Sequence, residues 1–417
     1  MSTLTICARD PATRARAGIL RTAHGDIRTP AFVPLATKAT VKGLLPEEVS
    51  ELGYDMVLGN TFHLMLNPGA ELIERFGGLH GFMGWPGPII TDSGGFQVFS
   101  MGHGTVADEI KGRAGTHGGG GGNGVAAEGG AGAILAIDEQ GVRFRSYVDG
   151  QERMLTPEGS MAVQAALGSD IALAFDECTP FHVDRDYTAR STERTHRWLA
   201  RCVDWHAEHA PAGQSLYGIV QGGVHEDLRR ASAQAVAAAG CRGLAVGGSL
   251  GAEKAQMYEV VSWAIDEFGG PYEALPRHLL GIGDIDDLIR GVELGVDSFD
   301  CAMPTRLGRH GTALVPAPQQ RWRVDLTKGR WRESEEPLME SCPCPACRAG
   351  LSRAYLSYLT RAGELTGMRL LTLHNLSFVA RLMADLRAAV LEGDLARTAA
   401  DLRAGAAPGT RTTRDVA

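Results

Sequence analysis

The 417-residue sequence has no run of about 18 consecutive apolar residues, and its mean hydropathy is −0.09. A membrane-spanning helix is therefore not expected. The opening stretch MSTLTICARDPATRARAG lacks an apolar h-region, so no secretory signal is expected either. Aromatic residues are only 6%, which is thin for an enzyme that stacks sugars on aromatic platforms. A basic excess is also missing: the net charge is −8, which taken whole argues against a nucleic-acid partner. Cysteines are few for the length, 8 in all, so a disulfide framework is not expected and a reducing, cytoplasmic compartment is. Five of them, Cys7, Cys178, Cys202, Cys241 and Cys301, are scattered and read as buried small hydrophobes.

Glycine is what the chain has in excess, 54 residues, or about 13% against a typical ~7%. Eleven of these lie in 112–133 (GRAGTHGGGGGNGVAAEGGAGA), which cannot bury apolar surface and is expected to be a flexible insertion. A phosphate-cradling loop would need a strand before it and a Lys or Ser/Thr in register after it, and neither is present. The tail 404–417 is expected to be disordered.

Eight short apolar runs read as buried parallel strands. They are 31–36, 55–59, 88–92, 170–176, 215–220, 242–247, 277–281 and 296–300. Helical stretches lie between most of them, and Thr156-Pro157-Glu158 and Leu45-Pro46-Glu47-Glu48 read as helix starts. Eight βα units predict a (β/α)8 TIM barrel; an open doubly wound sheet is the alternative, weakened by the lack of GxGxxG after the first strand. The runs end in Asp92-Ser93-Gly94-Gly95, Asp176-Glu177-Cys178, Gln221-Gly222-Gly223, Gly247-Gly248, Gly281 and Asp300-Cys301. Any one of these could simply be a turn. In a barrel all six would converge on one mouth, which favours a binding site.

Cys342-Pro343-Cys344-Pro345-Ala346-Cys347 packs three thiols into C-x-C-x-x-C. Three thiolates need a fourth ligand for a closed tetrahedral site, and His374 is the downstream candidate; a Cys₃His set is a structural zinc arrangement. Asp92 and Asp300 would face one pocket, the minimal kit for chemistry at an anomeric carbon, with one nucleophile and one proton carrier. Asp176 and Gln221 suit the edge of a planar, purine-like base. Arg306 and Arg309 could hold phosphate or be an ordinary solvated loop.

The motifs TKATVKGL, LGNTFHL, TDSGGFQVFS, FRSYVDG, ALGSDIALAFDECTP, GIVQGG, GLAVGG, FDCAMPTR, CPCPAC and LTLHNL, spread over about residues 28 to 390, resemble those of the tRNA-guanine transglycosylase (queuine tRNA-ribosyltransferase) family, bacterial type. The resemblance implies a (β/α)8 barrel over 1–310, a zinc-binding subdomain with closing helices over 311–390, and a helix end and tail over 391–417. It implies exchange of guanine at the tRNA wobble position for a 7-deazaguanine, one structural Zn2+ per subunit and a homodimer. By the same resemblance Asp300 is the nucleophile and Asp92 the proton-transfer group. Ser93, Phe96, Asp176, Gln221, Gly247, Gly248 and Leu280 bind the base, with Phe96 and Leu280 on its two faces. Cys342, Cys344, Cys347 and His374 hold zinc; with a tRNA substrate, Arg306 and Arg309, read from their position after Asp300, are expected to bind it.

The chain departs from the family pattern in two places. The Gly-rich stretch is longer than the usual connection. Ser249-Leu250-Gly251 stands where bacterial members typically carry Leu-Ala/Ser-Val, and a smaller residue at 251 leaves room for a bulkier base. The incoming base is expected to be 7-aminomethyl-7-deazaguanine, with queuine as the alternative. A catalytically silent tRNA-binding subunit is a second class, against which the joint presence of Asp92, Asp176 and Asp300 counts. A barrel glycosidase is a third. The acidic total also conceals a division. Residues 305–417 carry 17 Lys and Arg against 11 Asp and Glu, while 1–304 carry 24 against 38. The C-terminal part is thus where tRNA is expected to lie, with binding that weakens as salt rises.

Overall fold

Continuous Val, Ile and Leu runs bounded by Gly and Asp favour strands buried on both faces, and such strands need helices on the outside of a parallel sheet. A computed structural model describes residues 3–102, 134–179 and 183–410. Among them, eight parallel strands close into a barrel. They are β1 (Ala31–Ala36), β2 (Val57–Gly59), β3 (Ile89–Thr91), β4 (Ile171–Leu173), β5 (Ser215–Val220), β6 (Gly243–Val246), β7 (Arg277–Leu279) and β8 (Ser298–Cys301). Closure is made by β8 against β1, with Phe299 opposite Phe32 and Asp300 opposite Val33. All eight expected runs are strands; several are shorter than expected because their terminal Asp and Gly residues leave the ladder to form the mouth. Both expected helix starts form. Thr156 Oγ1 accepts the Gly159 N–H, and Glu48 accepts the Leu45 N–H.

Two antiparallel sheets, Thr3–Arg9/Arg16–Thr22/Gly25–Thr29 and Ile134–Ile137/Val142–Arg145/Glu152–Leu155, are not expected from the sequence. Buried Val142 and Phe144 alternate with exposed Arg143 and Arg145, and the apolar strand Ile134–Ile137 is only four residues long. Alternation also exposes Cys7, contrary to the expected buried role, since it shares the outward face of its strand with Thr5. The first sheet plugs the barrel floor: Leu4, Leu20 and Ile27 pack with Val33, Leu58, Ile90, Leu173 and Tyr217 in the barrel interior.

Five helices matter for the site: α1 (Thr61–Leu66), α2 (Gly95–Gly102), α3 (Glu226–Ala238), α4 (Met303–Arg309) and α5 (Leu365–Glu392). Between α4 and α5 the chain forms a small subdomain, with a two-stranded sheet (Thr312–Leu314 and Arg323–Asp325) and helices Pro345–Arg348 and Arg353–Ala362. Helix α5 then packs along α4 and the barrel. The Gly-rich stretch 112–133 lies outside the described residues. Of the tail, residues 404–410 turn back onto α5, where the Gly409 N–H donates to Asp385, so this part does not follow the expectation of disorder; 411–417 lie outside the described residues.

The floor is fastened by Asp170, at the entry to β4. Its carboxylate accepts the His24 N–H at 3.1 Å and the Ile89 N–H at 2.9 Å, with the His24 and His80 rings stacked beside it. Burial alone would raise its pKa, but the bonds from His80, Ile89 and His24 outweigh that and hold it at about 2. Asp170→Asn is expected to lose about 2 kcal/mol of stability at pH 7. Because the native pKa is depressed, this contribution is complete above about pH 4 and is lost as pH falls to about 2. Urea unfolding curves of parent and variant should therefore converge in that range; identical curves at pH 7 would remove the fastening role.

Candidate active site

The C-terminal ends of the strands surround a cavity of about 650 Å³. Asp92 and Ser93 follow β3, Phe96 lies on α2, Asp176 follows β4, Gly248 follows β6, Leu280 follows β7 and Asp300 lies in β8; all seven line it. Gln221 and Gly247 stand directly behind the lining, at the ends of β5 and β6. A barrel delivers side chains from distant sequence positions to one face, because every parallel strand ends there.

Each carboxylate has its own set of donors. Asp300 Oδ1 accepts the Gly281 N–H at 3.0 Å and lies 3.2 Å from His278 Nε2. His278 Nδ1 is 2.8 Å from Ser298 Oγ, which orients the ring. Among the described residues no donor bonds Asp300 Oδ2. Asp92 accepts the Thr61 N–H at 2.8 Å and the Gln97 amide at 3.0 Å, with Asn60 on the same oxygen as Gln97. Burial pushes Asp92 up to about 7, against the pull of the Thr61 N–H, and the negative Asp300 adds to the rise. Asp176 accepts Ser93 Oγ–H at 2.9 Å and the Gln221 amide at 2.6 Å. Burial again dominates and raises it to about 6.

Gln221 gives its N–H to Asp176, and its carbonyl oxygen Oε1, buried, has no partner among the described residues. It lies against Gly248, whose φ is +79° and where a Cβ would stand 2.1 Å from Oε1. Only glycine fits that position. Asp176 and the Gly248 backbone thus face whatever enters, with Gln221 behind them bonded to Asp176, which suits one edge of a flat heterocycle.

Outside the cavity, Arg306 is exposed and Arg309 half-buried on α4. Lys38 and Lys42, which lie in TKATVKGL but are given no role by the sequence, join them. Burial lowers the Lys42 pKa, with Arg309 and Lys38 adding to the fall, and burial with both lysines takes His63 down to about 4. Such mutual repulsion marks an electropositive rim that an anion would relieve. Sequence reasoning also misses Asn60, Gln97 and His278, whose signal is a polar residue within or just after an apolar run, and Arg229 on α3.

The ligand atoms of Cys342, Cys344, Cys347 and His374 all lie within 4.8 Å of one another, and all four residues are buried. His374 Nδ1 is 3.4 Å from the Cys344 and Cys347 sulfurs, while Nε2 is 2.7 Å from the Leu314 carbonyl oxygen. That carbonyl fixes the ring with Nδ1 toward the sulfurs, the arrangement of a metal-ligating histidine with a backbone partner. The group fits a metal ion with four protein donors and no open position.

No helix among the described residues is long and apolar enough to cross a membrane. The family model described as Queuine tRNA-ribosyltransferase matches residues 10–118 and 128–407. The chain is 49% identical over 403 residues to the Queuine tRNA-ribosyltransferase of Roseiflexus sp. (strain RS-1), covering 94% of this chain and 97% of that one. It is 44% identical over 390 residues to that of Pelotomaculum thermopropionicum, covering 93% and 94%. It is 42% identical over 384 residues to that of Gloeobacter violaceus, with 92% of each covered.

The Asp92 carboxyl band, followed by infrared difference spectroscopy, is expected to titrate near pH 7 and to move to lower pH in Asp300→Asn, where a raising charge is gone. An unmoved midpoint would show that the two carboxylates do not share a field.

Proposed function

The chain belongs to the queuine tRNA-ribosyltransferase family and is a pentosyltransferase acting on tRNA; on that premise we propose that it exchanges guanine at wobble position 34 for 7-aminomethyl-7-deazaguanine through a covalent Asp300–ribose intermediate, in queuosine biosynthesis. The observation that carries this reading is the convergence of Asp92, Asp176 and Asp300 on one cavity with three different donor sets.

The flipped guanine enters between Phe96 and Leu280. Asp176, held by the Gln221 amide, accepts its N1–H and N2–H, and the Gly248 backbone N–H meets the O6 edge. Asp300 Oδ2, free of donors, attacks C1′ as the C1′–N9 bond breaks. Neutral Asp92 gives its proton to the departing base and becomes a carboxylate. The incoming base then loses its N9 proton to Asp92 and attacks C1′, which releases Asp300. One glycosidic bond replaces another, so no energy source is consumed. A carboxyl with a pKa near 7 serves both proton transfers. Arg306 and Arg309, with Lys38 and Lys42, hold phosphates of the anticodon stem-loop.

In this proposal the metal is zinc, held by Cys342, Cys344, Cys347 and His374. It ties the subdomain to α5 and supplies no step of the reaction. The enzyme acts in the cytoplasm as a homodimer, to which the exposed Tyr355, Tyr358 and Leu365 offer apolar surface. Queuine as the incoming base is a second reading, favoured by Gly251 lining the cavity.

Radiolabelled guanine should enter tRNA with wobble guanine in the parent, and Asp300→Asn should lower the rate at least about 10³-fold. A tRNA–protein adduct should survive denaturation only in the parent. Full exchange by Asp300→Asn would overturn the nucleophile. Elemental analysis should find zinc in the parent and little in Cys344→Ser, with reduced thermal stability.

A further inference from the structure

Arg229 is a fully buried arginine beside the base wall, and its partners are unusual. It lies on α3 and is 0% exposed. Nη1 donates to the carbonyls of Val220 at 3.0 Å and Gly247 at 2.8 Å. Nη2 donates to the carbonyls of Gly223 at 2.6 Å and Ser249 at 3.1 Å, and Nε to Gly223 at 3.2 Å. Among the described residues it has no carboxylate partner. Burial drives its pKa down to about 9, with the Cys178 thiol opposing. A buried cation without a counter-ion is costly, and here it is met only by backbone dipoles.

The direction of those dipoles matters. In a trans peptide the C=O of one residue and the N–H of the next point opposite ways. With the Gly247 carbonyl turned to Arg229, the Gly248 N–H is turned away from it, toward the Cys178 sulfur in the cavity wall, a weak acceptor that an entering carbonyl oxygen would displace. With the Ser249 carbonyl turned to Arg229, the Leu250 N–H is turned away as well. Gly248 and Leu250 both line the cavity. Glycine at 248, with φ +79°, would otherwise leave this segment free to rotate its peptides. The same helix also fixes the next wall element, since Ser232 Oγ accepts the Gln221 N–H at 3.1 Å.

We propose that Arg229 is a positioning residue for base selection, whose guanidinium locks the Gly247–Leu250 backbone with its N–H donors aimed at the carbonyl oxygen of a 6-oxopurine. This rests on the base-exchange reading above. Discrimination follows because a fixed donor left unpaired in a dry site penalises a base with a poorer acceptor there. Arginine's planar fork suits this role, because its donors reach four carbonyls in two segments at once, which lysine's single ammonium does not.

The test compares guanine with 6-thioguanine, which keeps N1–H and the 2-amino group but presents sulfur, a weak acceptor. Calorimetric binding of each base to the full-length protein is measured without tRNA, beside KM for guanine and for tRNA in exchange assays. The parent is expected to prefer guanine. Arg229→Met is expected to weaken guanine about tenfold, to leave 6-thioguanine and the KM for tRNA unchanged, and so to erase the preference. Arg229→Lys is expected to keep part of it. Equal weakening of both bases, or a matching rise in the KM for tRNA, would show a merely structural role and overturn the proposal. If Arg229→Met does not fold, full parental preference in Arg229→Lys overturns it instead. A parent that binds guanine with this preference yet exchanges none into tRNA would fail the base-exchange reading and leave the Arg229 assignment standing.

Discussion

Three carboxylates share one cavity, and the rest of the molecule is arranged around that constraint. Removing an ionised carboxylate from water costs several kcal/mol unless hydrogen bonds replace its hydration, and neighbouring negative charges add to the cost. Asp92, Asp176 and Asp300 meet this in different ways. Asp300 takes one backbone N–H and a histidine on a single oxygen and leaves the other open. Asp92 is ringed by amides and a backbone N–H, yet its pKa still rises to about 7. Asp176 is braced by a hydroxyl and an amide. In the proposed reaction these differences let three identical functional groups serve as an open nucleophilic oxygen, an exchangeable proton and a shaped acceptor.

The barrel makes this arrangement possible in conformational terms. Each donor comes from a rigid element: Thr61 from the first turn of α1, Gln97 from α2, His278 from β7. None of these groups has to be ordered when a base arrives, so the cost of preorganisation falls on folding and not on each turnover. Arg229 extends the same logic to the backbone, holding peptide dipoles in the orientation that side chains hold elsewhere.

Much of this is legible in the sequence, and the gaps have physical causes. The eight strands stand out because strands buried on both faces read as unbroken apolar runs. The two antiparallel sheets do not: in Val142–Arg145 one-sided burial puts the apolar residues at every second position, and the apolar Ile134–Ile137 is only four residues long. The cysteine cluster is legible because three thiols in six residues have little other use. Arg229 is hidden because an arginine in EDLRRASAQ reads as helix surface, and only tertiary packing reveals that position 229 faces inward while Arg230 pairs with Glu226 outside. Lys38 and Lys42 are hidden for a similar reason: their neighbours, Arg306 and Arg309, are far away in sequence. The polarity of charge along the chain suggests a basic C-terminal part, but the rim is built from both ends.

Helix α5 touches the floor sheet and β1, and carries His374 of the cysteine–histidine cluster. The Tyr54 hydroxyl donates to the Leu376 carbonyl across 322 residues of sequence, and Arg387 donates to the carbonyls of Gly18 and Thr29. During synthesis the first barrel strand therefore leaves the ribosome long before one of its two ladder neighbours exists. β1 waits for β8 to complete its ladder and for α5 to cover its outer face. Non-local pairing of this kind is slow and leaves strand edges uncovered in the meantime. The nascent chain is thus most prone to aggregate in the interval before α5 emerges to cover that strand.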